Sequence, residues 1–355
     1  MEIDFSEITY LQDPSWQDLH ADYEQFLLSM IGPTIIDITG EDVTKSRVII
    51  TLLQGNEPSG LIALHRWLTT RNAQELPKTN IRFIICSVEA ACVKPLLSKP
   101  FIDGSKDINR CFGEEQYSKD ETKSHPGCYE RAKLIEQAIK EVTPEIVIDF
   151  HNTPSPSPTF AISSVITTET LSIVSLFSQT LILSNLQLGS LMEQDFSCPF
   201  ITIECGGRID EQAHEVAYAG ICSIANVKNI NHVQQKQKVD IIYPPLRLQV
   251  NEGVNLSFSA HDEGYSGITL KQNIEYFNFG CANKDELIGW SDGHGIENLN
   301  LFDKQGQNVI DEYFYTRENQ LVCKQKLHIF KATSDKNLAL NDCLFYVIKH
   351  INKDL

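Results

Sequence analysis

A chain of 355 residues exceeds one typical domain and suits two, so a sizeable core can be buried. Thirty basic residues against 47 acidic ones leave a formal charge of −17, which excludes nucleic acid and anionic membranes as partners, since either needs a basic face. A small anionic molecule stays compatible if a few Arg or Lys line its pocket.

The opening MEIDFSEITYLQDPSW has no basic segment followed by an apolar one, and no later apolar run approaches the ~20 residues of a membrane span. A cytoplasmic protein is expected. Its ten cysteines are scattered with no C-x-x-C pair, and several lie inside apolar runs, so they read as reduced core residues.

A helical preface occupies about residues 1–33, carried by Leu19, Tyr23, Phe26, Leu27 and Met30 and stopped before Gly32-Pro33. Thr34 to Thr39 and Val48 to Leu53 read as strands, Leu61 to Arg71 as a helix, and Ile81 to Ser87 as a strand again. Strand, helix, strand implies a βαβ unit in a largely parallel sheet. Lys94 to Ser124 has no period and is predicted as a long loop. Ala132, Ile135, Ile139 and Val142 have helical spacing, ending at Thr143-Pro144. Glu145 to Phe150 is an apolar strand broken only by Asp149, followed by His151-Asn152. Phe160 to Ile166 reads as a strand, Leu171 to Ser184 as a helix on its length, Pro199 to Glu204 as a buried strand, and Glu211 to Asn226 as a helix. The Gln-rich stretch His232 to Lys238 marks a break. Short alternating runs follow (Arg247 to Val250, Asn255 to Ser259, Gly267 to Leu270, Leu321 to Lys331, Leu344 to Lys349), as a mainly β domain would show. The predicted division is an α/β domain over 1–235 and a smaller mainly β domain over 236–355.

Three strands of the first domain end in groups that can do chemistry: Gln54 and Glu57 after the first, His151 after the second, Glu204 after the third. Parallel strands point the same way, so these ends converge on one cleft at the carboxyl edge of the sheet. An imidazole and a carboxylate together, with a second carboxylate nearby, are most of what a hydrolytic zinc site needs. Read on their own, His151 is also what a strand-end histidine bonded to backbone looks like, and Glu204 what a surface ion pair looks like. Glu57 also suits the N-terminus of the following helix.

The run QGNEPSG (54–60) resembles the H-G-N-E turn of the succinylglutamate desuccinylase and aspartoacylase family, a branch of the zinc-carboxypeptidase fold. Asp107-Ile108-Asn109-Arg110-Cys111-Phe112 resembles its D-L-N-R-x-F, Asp149-Phe150-His151-Asn152-Thr153 its D-L-H-N-T, and Ile201-Thr202-Ile203-Glu204 its T-I-E. Four motifs in order over about residues 34–230 are far more specific than any one alone.

The resemblance implies a zinc-carboxypeptidase-like α/β fold, a largely parallel mixed sheet flanked by helices with a smaller β domain after it, and one zinc ion. Glu57 and His151 would be ligands, with Gln54 at the position where the family has its first ligand His. Glu204 would be the general base, and Asn109 and Arg110 would grip a substrate carboxylate, the guanidinium fork matching that group. For the carbonyl-polarising Arg that the family places before its N-R pair, only Lys99 is at hand as a point charge. The implied reaction is hydrolysis of an amide bond in a small N-acyl amino acid or related anionic substrate, by a protein that homo-oligomerisation would suit. Gln54 opens an alternative, because an amide oxygen is a poorer zinc donor than imidazole: a non-catalytic member binding an anionic metabolite. A metallocarboxypeptidase is a further alternative on the same scaffold. His125 is a loop histidine that either faces solvent or completes the metal site, Arg208 an ordinary salt-bridge residue or a second anion contact, and Tyr313 and Tyr315 aromatic strand residues of the second domain. Cys111 and Cys205, beside motif residues, read as buried hydrophobes.

Overall fold

The computed structural model describes residues 5–72, 75–113, 124–184, 187–242, 245–278, 280–303 and 305–349. The chain divides into two compact units, Met1–Ile242 and Tyr243–Leu355. The middle of the predicted 94–124 loop, residues 114–123, lies outside the described residues.

In the first unit, strands β1 (Thr9–Gln12), β2 (Thr34–Ile38), β3 (Asp42–Thr51), β4 (Thr79–Ile85), β5 (Val147–Thr153), β6 (Phe160–Ser163), β7 (Thr180–Leu183), β8 (Phe200–Gly207) and β9 (Asp240–Ile242) form one sheet. Their order is β1-β2-β4-β3-β5-β8-β6-β7-β9. Pairing is parallel except between β2 and β4 and between β6 and β8, so the sheet is mixed and largely parallel. The preface consists of two short helices, α1 (Trp16–Leu19) and α2 (Tyr23–Ser29), with the unpredicted edge strand β1 before them.

Helices cover both faces of this sheet, because its central strands are apolar on both sides. On one face Ile49, Phe83, Ile148, Phe150, Ile201 and Ile203 pack with Leu61 and Leu64 of α3 (Ser59–Thr70). The helix Glu211–Asn226 joins them through Ala213, Ala217, Ile221 and Ile224, spaced so that they share one helical face. On the other face Val48, Ile50, Ile84, Val147 and Phe200 meet Tyr129, Ala132, Ile135 and Ile139 of Pro126–Glu141, which carries Pro at its first position. Each large apolar side chain fully buried in these layers contributes about 1.5–3 kcal/mol.

Two expectations are corrected. The apolar stretch 171–184 is not one helix: it divides into a helix Thr168–Val174 and β7, with residues 175–179 between them. A continuous apolar run looks alike in a buried helix and a buried strand, so its length misleads. His151 and Asn152 also do not follow their strand but lie within it, since pairing with β8 carries β5 on to Thr153.

Close packing at the start of α3 requires glycine. A Cβ on Gly60 would come within 2.9 Å of Phe150 Cβ and closer still to Thr51 Oγ1. Gly60→Ala is therefore expected to destabilise the protein by about 1–3 kcal/mol, as overpacked cores do, with the denaturation midpoint in urea as the measurement.

The second unit holds two five-stranded sheets. One runs Cys281–Ala282, Leu327–Phe330, Phe345–Lys349, Leu246–Val250, Leu299–Leu301; the other Leu256–Ser259, Ile268–Lys271, Leu287–Ser291, Gln320–Cys323, Phe314–Arg317. Their inner faces share a core that includes Leu248, Ile268, Phe314 and Phe345. Tyr313 is buried there, while Tyr315 donates its hydroxyl to Asp285 at 2.6 Å.

Candidate active site

Alternation along β5 and β8 builds the site. Register pairs Val147 with Phe200, Asp149 with Thr202, and His151 with Glu204. Side chains two apart share a face, so this face rises from an apolar layer at Val147 and Phe200, through Asp149 and Thr202, to His151 beside Glu204. The chain thus places imidazole and carboxylate next to each other on adjacent parallel strands, at the carboxyl edge of the sheet.

The third component comes from the turn after β3. Leu52, buried and with φ of 55°, takes a left-handed conformation costly for a residue with a Cβ. The turn it starts carries Gln54 and Glu57, closed by a hydrogen bond from the Glu57 amide to the Gln54 carbonyl at 3.2 Å. Glu57 Oε2 lies 2.7 Å from His151 Nδ1, and Asp149 Oδ2 lies 2.7 Å from His151 Nε2. The ring is therefore held between two carboxylates with only 5% exposure. Burial pushes its pKa down, but Asp149 and Glu57 outweigh this and hold it well above the usual histidine value. Glu204 is buried too, at 2% exposure.

No three His, Cys, Asp or Glu side chains among the described residues are grouped to hold a metal ion. Glu57 and His151 make a pair, and the Gln54 carboxamide lies in the same turn as Glu57. Gln54 Nε2 donates to Asp107 Oδ2 at 2.9 Å. A carboxylate only accepts, so the amide orientation is fixed. Gln54 Oε1 is then buried without a hydrogen-bond partner among the described residues. An orphaned oxygen in the turn that carries Glu57 fits a divalent cation, and a set of one nitrogen and two oxygens suits a harder ion better than two imidazoles would.

The remaining predicted residues lie on the segment after β4. Asp107 caps the short 3₁₀ turn Ile108–Arg110, accepting from the Asn109 amide at 2.8 Å. Asn109 Oδ1 accepts from Leu191 N at 3.0 Å, and Arg110, half-buried, donates to the Asn109 carbonyl at 2.8 Å. Lys99 is paired with Asp103 at 2.9 Å on the surface. His125 is the N-cap of the helix Pro126–Glu141, and Arg208 is exposed. All ten cysteines are free. Burial pushes the Cys205 thiol up, and a hydrogen bond to Cys128 together with burial does the same for Cys111. Neither is poised as a thiolate nucleophile.

Sequence reasoning left several partners unassigned: Asp149 as the carboxylate behind His151, Asp107 behind Gln54, and a group of buried Asn152 and Ser59 with the partly buried His214. Asp149 had a signal, being the one charge in an apolar strand and two residues from His151.

Residues 44–224, about half of the chain, match the sequence model of the succinylglutamate desuccinylase/aspartoacylase catalytic domain. No curated protein is matched at the sequence level. Among solved structures, the chain is similar to the succinylglutamate desuccinylase of Vibrio parahaemolyticus (14% identity, TM-score 0.57, covering 92% of this chain and 94% of that one). It is also similar to the enzyme of that name from Vibrio cholerae (13%, 0.56, 94% and 97%) and to a point mutant of murine aminoacylase 3 (14%, 0.52, 88% and 96%). At such identities the structures establish the shared α/β fold, while the sequence match extends over all three strand ends that carry Glu57, His151 and Glu204. The chain belongs to the succinylglutamate desuccinylase/aspartoacylase family.

Proposed function

We propose that this chain is a metal-dependent hydrolase of the amide bond in a small N-acyl amino acid or related anionic substrate. The observation that carries the reading is the convergence of Glu57, His151 and Glu204 at one sheet edge, with Glu57 2.7 Å from His151 Nδ1 and His151 in register with Glu204. Glu57, His151 Nδ1 and Gln54 Oε1 would hold the ion, whose chemistry is Lewis-acid activation of water and carbonyl. Asp149 fixes the His151 ring from behind, as carboxylates behind ligating imidazoles do. Glu204 takes the proton as water attacks. Arg110 and the Asn109 side-chain Nδ2 receive the substrate carboxylate, and Lys99 adds a point charge once it leaves Asp103. The ten free thiols fit a reducing, cytoplasmic setting. No helix among the described residues is long and apolar enough to cross a membrane.

The donor set with Gln54 in it favours a second reading, a non-catalytic member that keeps the Arg110 pocket and binds an anionic metabolite. Metal analysis together with turnover of N-acetyl and N-succinyl amino acids separates the two. Glu204→Gln is expected to lower kcat by about 10²–10⁴-fold, the usual contribution of a positioned general base, with metal content retained. Protein that stays metal-free after incubation with zinc, nickel or manganese, and turns over nothing, supports the second reading. Turnover of long peptides instead of small acyl amino acids would move the assignment to a carboxypeptidase.

A further inference from the structure

Behind the site lies a hydrogen-bonded chain that reaches the surface of the helix Glu211–Asn226. Asn152, 2% exposed, is its node. The Asn152 backbone amide donates to Glu57 Oε2 at 3.1 Å, and its side-chain Oδ1 accepts from the Ser59 amide at 3.0 Å. Nδ2 donates both to Ser59 Oγ at 2.8 Å and to the Gly206 carbonyl at 3.0 Å. A backbone N–H only donates and a carbonyl only accepts, so the orientation of this amide follows from its partners. Ser59 Oγ accepts from Asn152 and is hydrogen-bonded to His214 Nδ1, 2.8 Å away, in a direction set by the His214 tautomer. With its proton on Nε2 a neutral His214 takes the Ser59 hydroxyl proton, and with it on Nδ1 it donates to the same oxygen. Burial lowers its pKa despite Asp210, Glu211 and Glu215 nearby, which favours the neutral ring.

The chain touches a residue two away from, or adjacent to, each of Glu57, His151 and Glu204. Ser59 is two from Glu57, Asn152 is next to His151, and Gly206 is two from Glu204. Ser59 is fully buried and bonded on every side, so it is not a nucleophile.

We propose that His214 is a positioning residue: through Ser59 and Asn152 it fixes the Glu57 carboxylate, and with it the Glu57–His151 contact. His214 touches none of the reacting groups itself. The kinetic part of this inference rests on the hydrolase reading; the structural part does not.

The test compares His214→Leu, which removes the polar Nδ1, with His214→Asn, whose side-chain amide puts a polar partner for Ser59 near that place. The first measurement is the pair of ring ¹⁵N signals of His151 in the full-length, metal-free protein, assigned by their loss in a His151→Asn variant. His214→Leu and Ser59→Ala are expected to shift these signals, and His214→Asn to return them to the wild-type position. The second is hydrolysis of N-acetyl amino acids. There His214→Leu should lower kcat by about tenfold with KM held, within the range seen when an outer hydrogen bond to a ligand is lost, and His214→Asn should restore it. Unchanged His151 signals in His214→Leu, or equal losses in the leucine and asparagine variants, would overturn the inference. If the wild type hydrolyses nothing, the hydrolase reading fails while the ring signals still decide the role of His214.

Discussion

Gln54→His is expected to raise zinc affinity by at least about tenfold, or about 1.4 kcal/mol, and to raise amide hydrolysis with it. An imidazole nitrogen replaces a carboxamide oxygen as donor, and zinc favours the nitrogen. The position is also prepared for the exchange. Asp107 Oδ2, now 2.9 Å from Gln54 Nε2, is an acceptor able to hold the second N–H of a new imidazole. That would repeat the arrangement in which Asp149 holds His151. Titration of the variant and wild type with zinc against a coloured chelator gives the ratio, and an N-acyl amino acid panel gives the activity. If the variant gains neither, the obstacle lies elsewhere in the pocket, with Lys99 in place of a guanidinium fork the first residue to change.

His151→Ala is expected to cost about 3–5 kcal/mol of stability in metal-free protein, the range for breaking a buried ion pair by removing one partner. The alanine leaves Glu57 and Asp149 facing each other across the space of a missing cation. The pH dependence has a definite sign. Because the folded-state pKa of His151 is raised, its contribution is fully present below the unfolded value of about 6.5 and is lost as pH rises through the raised value. Urea unfolding from pH 6 upward should therefore show a component in the wild type that the variant lacks. Equal pH slopes for the two proteins would mean that the imidazole is neutral in its carboxylate clamp.

The sequence made the scaffold legible where one period ruled. The helix Glu211–Asn226 is found at its predicted bounds because Ala213, Ala217, Ile221 and Ile224 repeat on one face. The central strands were legible as apolar runs but their ends were not: β5 runs past His151 to Thr153 and β8 past Glu204 to Gly207, while β3 stops at Thr51. Edge strand β1 was not, since most of its residues are exposed and its pairing with β2 is carried by backbone groups. Within the site, motif order and strand direction pointed to Glu57, His151 and Glu204. Their supports were hidden by distance along the chain: Gln54 and Asp107 are 53 residues apart, Ser59 and Asn152 93, Ser59 and His214 155. Hydrogen bonds of that span leave no periodic trace, and nothing in a run such as QGNEPSG tells which carboxylate will orient its glutamine.

The layered face shared by β5 and β8 also acts as a proofreading device. The same two-residue alternation that stacks Val147 on the core lifts Asp149 and His151 toward the cleft. A slip of one residue during assembly would turn both charged groups into the apolar layer beneath α3, and Ile148 and Phe150 out of it. No partially correct site is available by that route. A chain that has buried its apolar residues in the right order has, by the same act, aligned its chemistry, and one that has not must bury two ionisable groups in an apolar layer.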